Sequence, residues 1–168
     1  MNAEILSHLP TSGSYEEVKF DATDTCTWVK FEDSEYSEWI GVFGQGWGGK
    51  NAVSLNENGA AFVIALGQGY ILKIDSRELI AKTRCDYLSG CIATTTNAFV
   101  ANDGIRLRTY DGEKMLYCSQ RVSMDGIVFT ELKDGLIYGK VWAISDWADF
   151  SFDPMSNDYR CDWKCPFD

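Results

Sequence analysis

Two stretches of this chain carry the same short pleated pattern, and that self-similarity restricts the fold more than any other feature. Ala52-Val-Ser-Leu55 and Ala61-Phe-Val-Ile-Ala-Leu66 flank Asn56-Glu-Asn-Gly59, whose Asn-Gly pair suits the positive φ of a hairpin turn. Tyr70-Ile-Leu-Lys-Ile-Asp75 and Leu79-Ile-Ala-Lys-Thr83 follow across Gly67-Gln-Gly69 and Ser76-Arg-Glu78. Such short connections permit only a meander, so residues 52–83 are expected to form a four-stranded antiparallel sheet. The order recurs 36 or 37 residues later in Ala98-Phe-Val-Ala-Asn102, Asp103-Gly104, Ile105-Arg-Leu-Arg-Thr-Tyr110, Asp111-Gly112 and Met115-Leu-Tyr-Cys118. A weaker third copy runs through Ile127 to Leu132, Leu136 to Trp142 and Phe150 to Phe152. Units of this kind bury their faces only by stacking on neighbours.

The rest of the chain agrees with an all-β reading. Thr25 to Glu32 and Glu38 to Gly44 are rich in β-branched and aromatic residues and are joined by a polar turn. Residues 1–15 lack a clear period and are expected to be an N-terminal arm or edge segment, and residues 153–168 an irregular C-terminal tail held by Trp163 and Phe167. The 168 residues, with six Trp, eight Tyr and nine Phe, suffice for one hydrophobic core, so residues 1–168 are expected to form a single domain.

Apolar strand, Asp-Gly turn, alternating strand and Asp-Gly or Asp-Ser turn, in that order, resemble the blades of WD40-like and quinoprotein-like β-propellers. The resemblance implies a partial propeller of about three blades, or a related open sheet array. Separately, Ser123-Met-Asp-Gly-Ile127, Asp134-Gly-Leu-Ile-Tyr-Gly139, Trp147-Ala-Asp-Phe-Ser-Phe-Asp153 and Trp39-Ile-Gly-Val-Phe-Gly44 resemble a pattern in small bacterial proteins. That group includes immunity proteins that neutralise contact-delivered toxins, and it brings no catalytic residues with it.

Charge narrows the partners. The net charge of −10 sits at the ends: residues 1–38 sum to −7, residues 39–143 to +1 and residues 144–168 to −4. Phosphate backbones and anionic lipid surfaces call for cationic side chains, so no nucleic acid and no membrane are expected as partners. A basic protein fits, a nuclease or other toxin with a cationic substrate groove being the most concrete case. The residues expected to meet it are Trp142, Asp146, Trp147, Asp149, Asp153, Asp158 and Asp162, with Glu32, Asp33, Glu35 and Glu38 as a second patch. Open sheet edges leave room for a second copy of the chain.

Catalytic chemistry finds little support. The single histidine, His8, lies in the expected arm, where pre-organised geometry is hard to hold, so no enzyme is expected. No metal and no cofactor are expected either. Cys161-x3-Cys165 is half of a zinc motif without a second half, and Asp21-Ala-Thr-Asp24 does not alternate as a calcium loop does. Gly44-Gln-Gly-Trp-Gly-Gly49 lacks the Lys-Ser or Lys-Thr of a phosphate loop and reads as a flexible turn presenting Trp47. The start of the chain has neither the basic nor the apolar stretch of a secretory signal, so a cytoplasmic location is expected. In that reducing compartment the six cysteines are expected to be free thiols, Cys26 and Cys118 as core filler and Cys161 and Cys165 as the more reactive pair. The alternative to a protein-binding role is a carbohydrate or small-ligand module, or a degenerate glycosidase, built on the Trp-rich loops with Asp146, Asp149 and Asp153.

Overall fold

The computed structural model describes residues 1–11 and 13–166 and contains sixteen strands with no helix among them. The first sheet holds β1 (Asn2–Leu6), β2 (Glu16–Phe20), β3 (Cys26–Glu32) and β4 (Glu38–Gly44). The second is β5 (Ala52–Leu55), β6 (Ala60–Ala65), β7 (Gln68–Lys73) and β8 (Leu79–Lys82), and the third β9 (Gly90–Ala93), β10 (Phe99–Asn102), β11 (Leu107–Asp111) and β12 (Lys114–Cys118). The fourth is β13 (Ile127–Lys133), β14 (Leu136–Trp142), β15 (Trp147–Asp153) and β16 (Asp158–Cys161). The last three sheets are simple antiparallel meanders, as the repeat announces.

The sheets stack in chain order, and side-chain alternation divides the core into three layers. Ala61, Val63, Ala65, Tyr70 and Leu72 of the second sheet meet Phe20, Val29, Phe31, Trp39 and Phe43 of the first. Its other face, Phe62, Ile64 and Ile71, packs on Phe99, Ala101 and Tyr110 of the third. Val100 and Leu107, on the far side of the third, pack on Ile127, Ile137, Val141, Phe150 and Phe152 of the fourth. Sheets covered on both sides explain the unbroken apolar runs at Ala61 to Ala65 and Phe99 to Ala101. No apolar cluster among the described residues joins the first sheet to the fourth, so the array is open.

Four sheets stand where the repeat alone announces about three units, because the first is wired differently. Its order is β1-β3-β4-β2, with β2 parallel to β4. It is also inverted relative to its neighbour: the Tyr70 hydroxyl, near the start of β7, donates to the Gly44 carbonyl at the end of β4. Repeat matching cannot see a sheet of other topology. Of the two readings of residues 1–15, arm or edge segment, the structure takes the second for Asn2–Leu6, which pairs along its whole length with β3. Residues 153–168 are not a wholly irregular tail, since β16 pairs with β15. Both strands lie at sheet edges and are too short to show a period, so tertiary pairing decides them. Trp163 packs against the third layer, while the anchoring role expected of Phe167 lies outside the described residues.

Gly44 to Gly49 is a packed junction and not a flexible turn. Gly46 and Gly48 donate their amides to the carbonyls of Ala65 and Leu66, and Gly49, at φ +89°, turns the place of its missing Cβ toward the Leu88 carbonyl. Any Cβ there would collide with backbone.

Candidate functional site

Meander wiring sends alternate turns to opposite rims of the stack. One rim gathers the turns β5–β6, β7–β8, β9–β10, β11–β12, β13–β14 and β15–β16. The inverted first sheet adds its β3–β4 turn to the same rim, where the Ser34 amide and hydroxyl donate to the Asp75 carboxylate at 2.9 and 3.0 Å. Asn56 Nδ2 likewise donates to the Asn97 carbonyl at 2.9 Å, tying the second sheet's turn to the third's.

This rim is acidic. Exposed Glu35, Glu57, Asp75, Glu78, Asp111, Glu113, Asp134 and Asp158 lie on it, with Lys73, Lys114, Lys133 and Arg160 interspersed. Turn chemistry puts them there, because Asp at a turn accepts amides two or three residues on while its charge faces water. Asp153 shows the pattern: it accepts the Ser156 hydroxyl at 2.7 Å and the Met155 amide at 2.8 Å, and these bonds hold its carboxyl below the usual range. Tyr36, at φ +62° and 82% exposed, stands among Glu35 and Glu38 as an aromatic side chain with no burial to explain it.

The expected site residues divide between the two rims. Glu32, Glu35, Glu38, Asp153 and Asp158 reach the acidic rim, so ends of the chain far apart in sequence meet on one surface. Asp33 is there too but buried, its carboxylate accepting the amides of Glu35 and Ser37 at 3.0 and 2.8 Å, so it shapes the turn and is withdrawn from the surface. Glu38 pairs with Lys30 at 2.8 Å, and this hydrogen bond raises the Lys30 pKa. Trp142, Asp146, Trp147 and Asp162 lie at the opposite rim. Trp142 and Trp147 form a T-shaped pair with centroids 5.5 Å apart, and Asp146 accepts the Trp147 amide at 2.7 Å. Asp149 is midway along β15, bridged to Lys140 at 3.5 Å. Glu57, Asp75, Glu78, Asp111, Glu113 and Asp134 were missed, although the repeat holds the signal: equivalent turns of stacked sheets must fall on the same rim.

Of the carboxylates considered for a sugar site, Asp146 lies in the turn before β15, while Asp149 and Asp153 are four residues apart along it, roughly 13 Å at about 3.3 Å per residue. His8 is exposed in the loop after β1. Among the described residues no group of three or more His, Cys, Asp or Glu side chains is placed to hold a metal ion. The six thiols are unbridged, and Cys118 is exposed on edge strand β12 where core filling was expected. Alternation alone does not tell an edge strand from a central one. Among the described residues no helix is long and apolar enough to cross a membrane.

No family model matches the chain, and no curated protein does. Among solved structures it is similar to the extracellular domain assigned to a one-component system of B. thetaiotaomicron, with a TM-score of 0.52 at 13% identity. The match covers 86% of this chain and 21% of that one, so the chain spans about a fifth of its neighbour's length. At this identity the similarity is one of fold, and it supports the all-β sheet array.

Proposed function

We propose that this chain is a non-catalytic recognition module whose acidic rim binds a basic protein. The observation that supports this reading is the convergence of turns from all four sheets on one rim, where Glu35, Glu57, Glu78, Glu113 and Asp158 are exposed and Tyr36 stands out at the first sheet's turn. Carboxylates spread over a rigid rim steer a cationic partner and set its orientation, while an exposed aromatic ring supplies area that becomes buried on contact. In its most concrete form the module is an immunity protein and the partner a toxin with a cationic substrate groove. The cytoplasm is the compartment of this reading, and six unbridged thiols are compatible with it.

The test is association kinetics with a panel of small basic proteins, a cationic ribonuclease included. Saturable binding to a member of the panel is expected, with an on-rate that falls steeply with added salt. The triple variant Glu35→Gln, Glu57→Gln, Glu113→Gln is expected to associate about tenfold more slowly at low salt, and Tyr36→Ala to dissociate faster. A panel without saturable binding, or an on-rate untouched by the triple variant, would end the proposal.

A further inference from the structure

The second and third sheets diverge at their outer edges and leave a groove of about 830 Å³, within the range of small-molecule sites. Ala81 and the segment Thr83 to Tyr87 form one wall, and Arg108 and Glu113 to Leu116 the other. Ile71 and Tyr110, both buried, form the floor. On the third-sheet wall Met115 and Leu116 stand side by side, 52% and 60% exposed, an apolar lip that the packing of the sheets does not use.

The charges of this groove run against those of the protein. Lys82, Arg84, Arg108 and Lys114 line it against Asp86 and Glu113 alone, in a chain of net charge −10. Lys82 is engaged by Asp21 at 2.8 Å. Arg108 is held from behind, its Nη2 donating to Asp103, whose carboxyl is pushed up by burial but brought below its usual range by Arg108 and the amides of Arg106 and Ile105. The rest of that guanidinium is poorly served: Nε is buried without a partner, and Nη1 meets the soft Met115 sulfur at 3.9 Å. A fixed guanidinium with donor capacity left over, beside a flexible methionine and a ring floor, is suited to an acid carried on an apolar body.

We propose that the groove between the second and third sheets binds a small amphipathic anion, an apolar body bearing one carboxylate or sulfonate. The anionic group lies toward Arg108, Lys114 and Arg84, and the body lies over Tyr110 and Ile71 beneath Met115. The site adjoins the acidic rim at Glu113 and Lys114 but draws on cations and apolar surface, so its binding does not rest on the rim's carboxylates.

The experiment titrates the full chain with anilinonaphthalene sulfonate and follows probe fluorescence, then displaces the probe with decanoate or with decanol. A single saturable site is expected, displaced by decanoate about tenfold more readily than by the uncharged alcohol. Met115→Glu sets a carboxylate in the mouth of the groove and is expected to weaken the probe by about tenfold or more with an unchanged circular dichroism spectrum. Lys114→Glu, at an exposed position, gives the same reading should Met115→Glu fail to fold. Absence of a saturable signal, equal displacement by decanol, or full-strength binding in a folded variant would overturn the proposal.

Discussion

The Tyr70 hydroxyl donates to the Gly44 carbonyl at 2.8 Å, joining the first sheet to the second where β4 ends and β7 begins. The Tyr70 ring lies 5.2 Å from that of Phe43, so one side chain supplies both packing and a buried hydrogen bond across the interface. Tyr70→Phe keeps the packing and strands the carbonyl. Chemical denaturation is expected to show a loss of about 1 to 2 kcal/mol.

The same residue sets an alkaline limit. Burial pushes the Tyr70 hydroxyl up from 10.0 to about 12, and Tyr110 likewise. A group whose folded pKa is raised stabilises fully below its unfolded value and loses that contribution as pH rises through the folded one. Denaturation midpoints are therefore expected to hold up to about pH 10 and fall between 10 and 12, with a shallower fall in Tyr70→Phe. Equal slopes would show that Tyr70 titrates alike in both states.

Gly139 lies against aromatic carbon in the middle of β14. A Cβ there would sit 2.6 Å from Phe150 Cε1 and closer still to the Val128 carbonyl. Its φ is not in the left-handed region, so the cost of Gly139→Ala is steric and not conformational. A loss of about 1 to 3 kcal/mol in unfolding free energy is expected, through displacement of the Phe150 ring from the layer between the third and fourth sheets.

Asn56 serves two sheets at once. Its Oδ1 accepts the amides of Asn58 and Ala60 at 3.1 and 2.9 Å, while Nδ2 reaches the Asn97 carbonyl. Asn56→Ala removes all three bonds and is expected to cost about 1 to 2 kcal/mol, whereas Asn56→Asp keeps both turn bonds and falls in between. Hydrogen exchange at the Ala60 amide separates the two variants.

Thiol labelling should be ordered. Cys118 is exposed, whereas burial pushes the Cys91 thiol up to about 12 and its sulfur donates to the Phe62 carbonyl at 3.5 Å. Since the thiolate is the reacting species, Ellman's reagent at neutral pH is expected to modify Cys118 first and Cys91 only on unfolding. A Cys118→Ser variant that keeps the fastest phase would contradict that order.

Much of this architecture was legible in the sequence because period and turn chemistry agree. The three meanders announce themselves through runs such as Ala61-Phe-Val-Ile-Ala65 and through Asn-Gly, Asp-Gly and Asp-Ser turns, and the structure keeps their order. What stayed hidden depends on contacts distant in the chain. Glu16 to Phe20 becomes a strand by parallel pairing with β4, a relation no local pattern encodes. The four residues from Asp103 to Arg106 replace the two-residue turn Leu66-Gly67, which blurs the repeat inside the third sheet. The acids of the candidate site were partly legible: Glu35 and Asp158 share a rim, Trp142 and Trp147 sit on the other, and Asp33 spends its charge on its own turn.

A middle sheet that is apolar on both sides cannot be left with one side bare. Cleavage within Gly44 to Asn51 followed by departure of the N-terminal fragment would strip Ala61, Val63, Tyr70 and Leu72 of their cover and turn a hydrated molecule into one with a sticky wall. Self-association is the physical outcome, and it makes resistance of that junction to proteases a condition for the stack to stay covered.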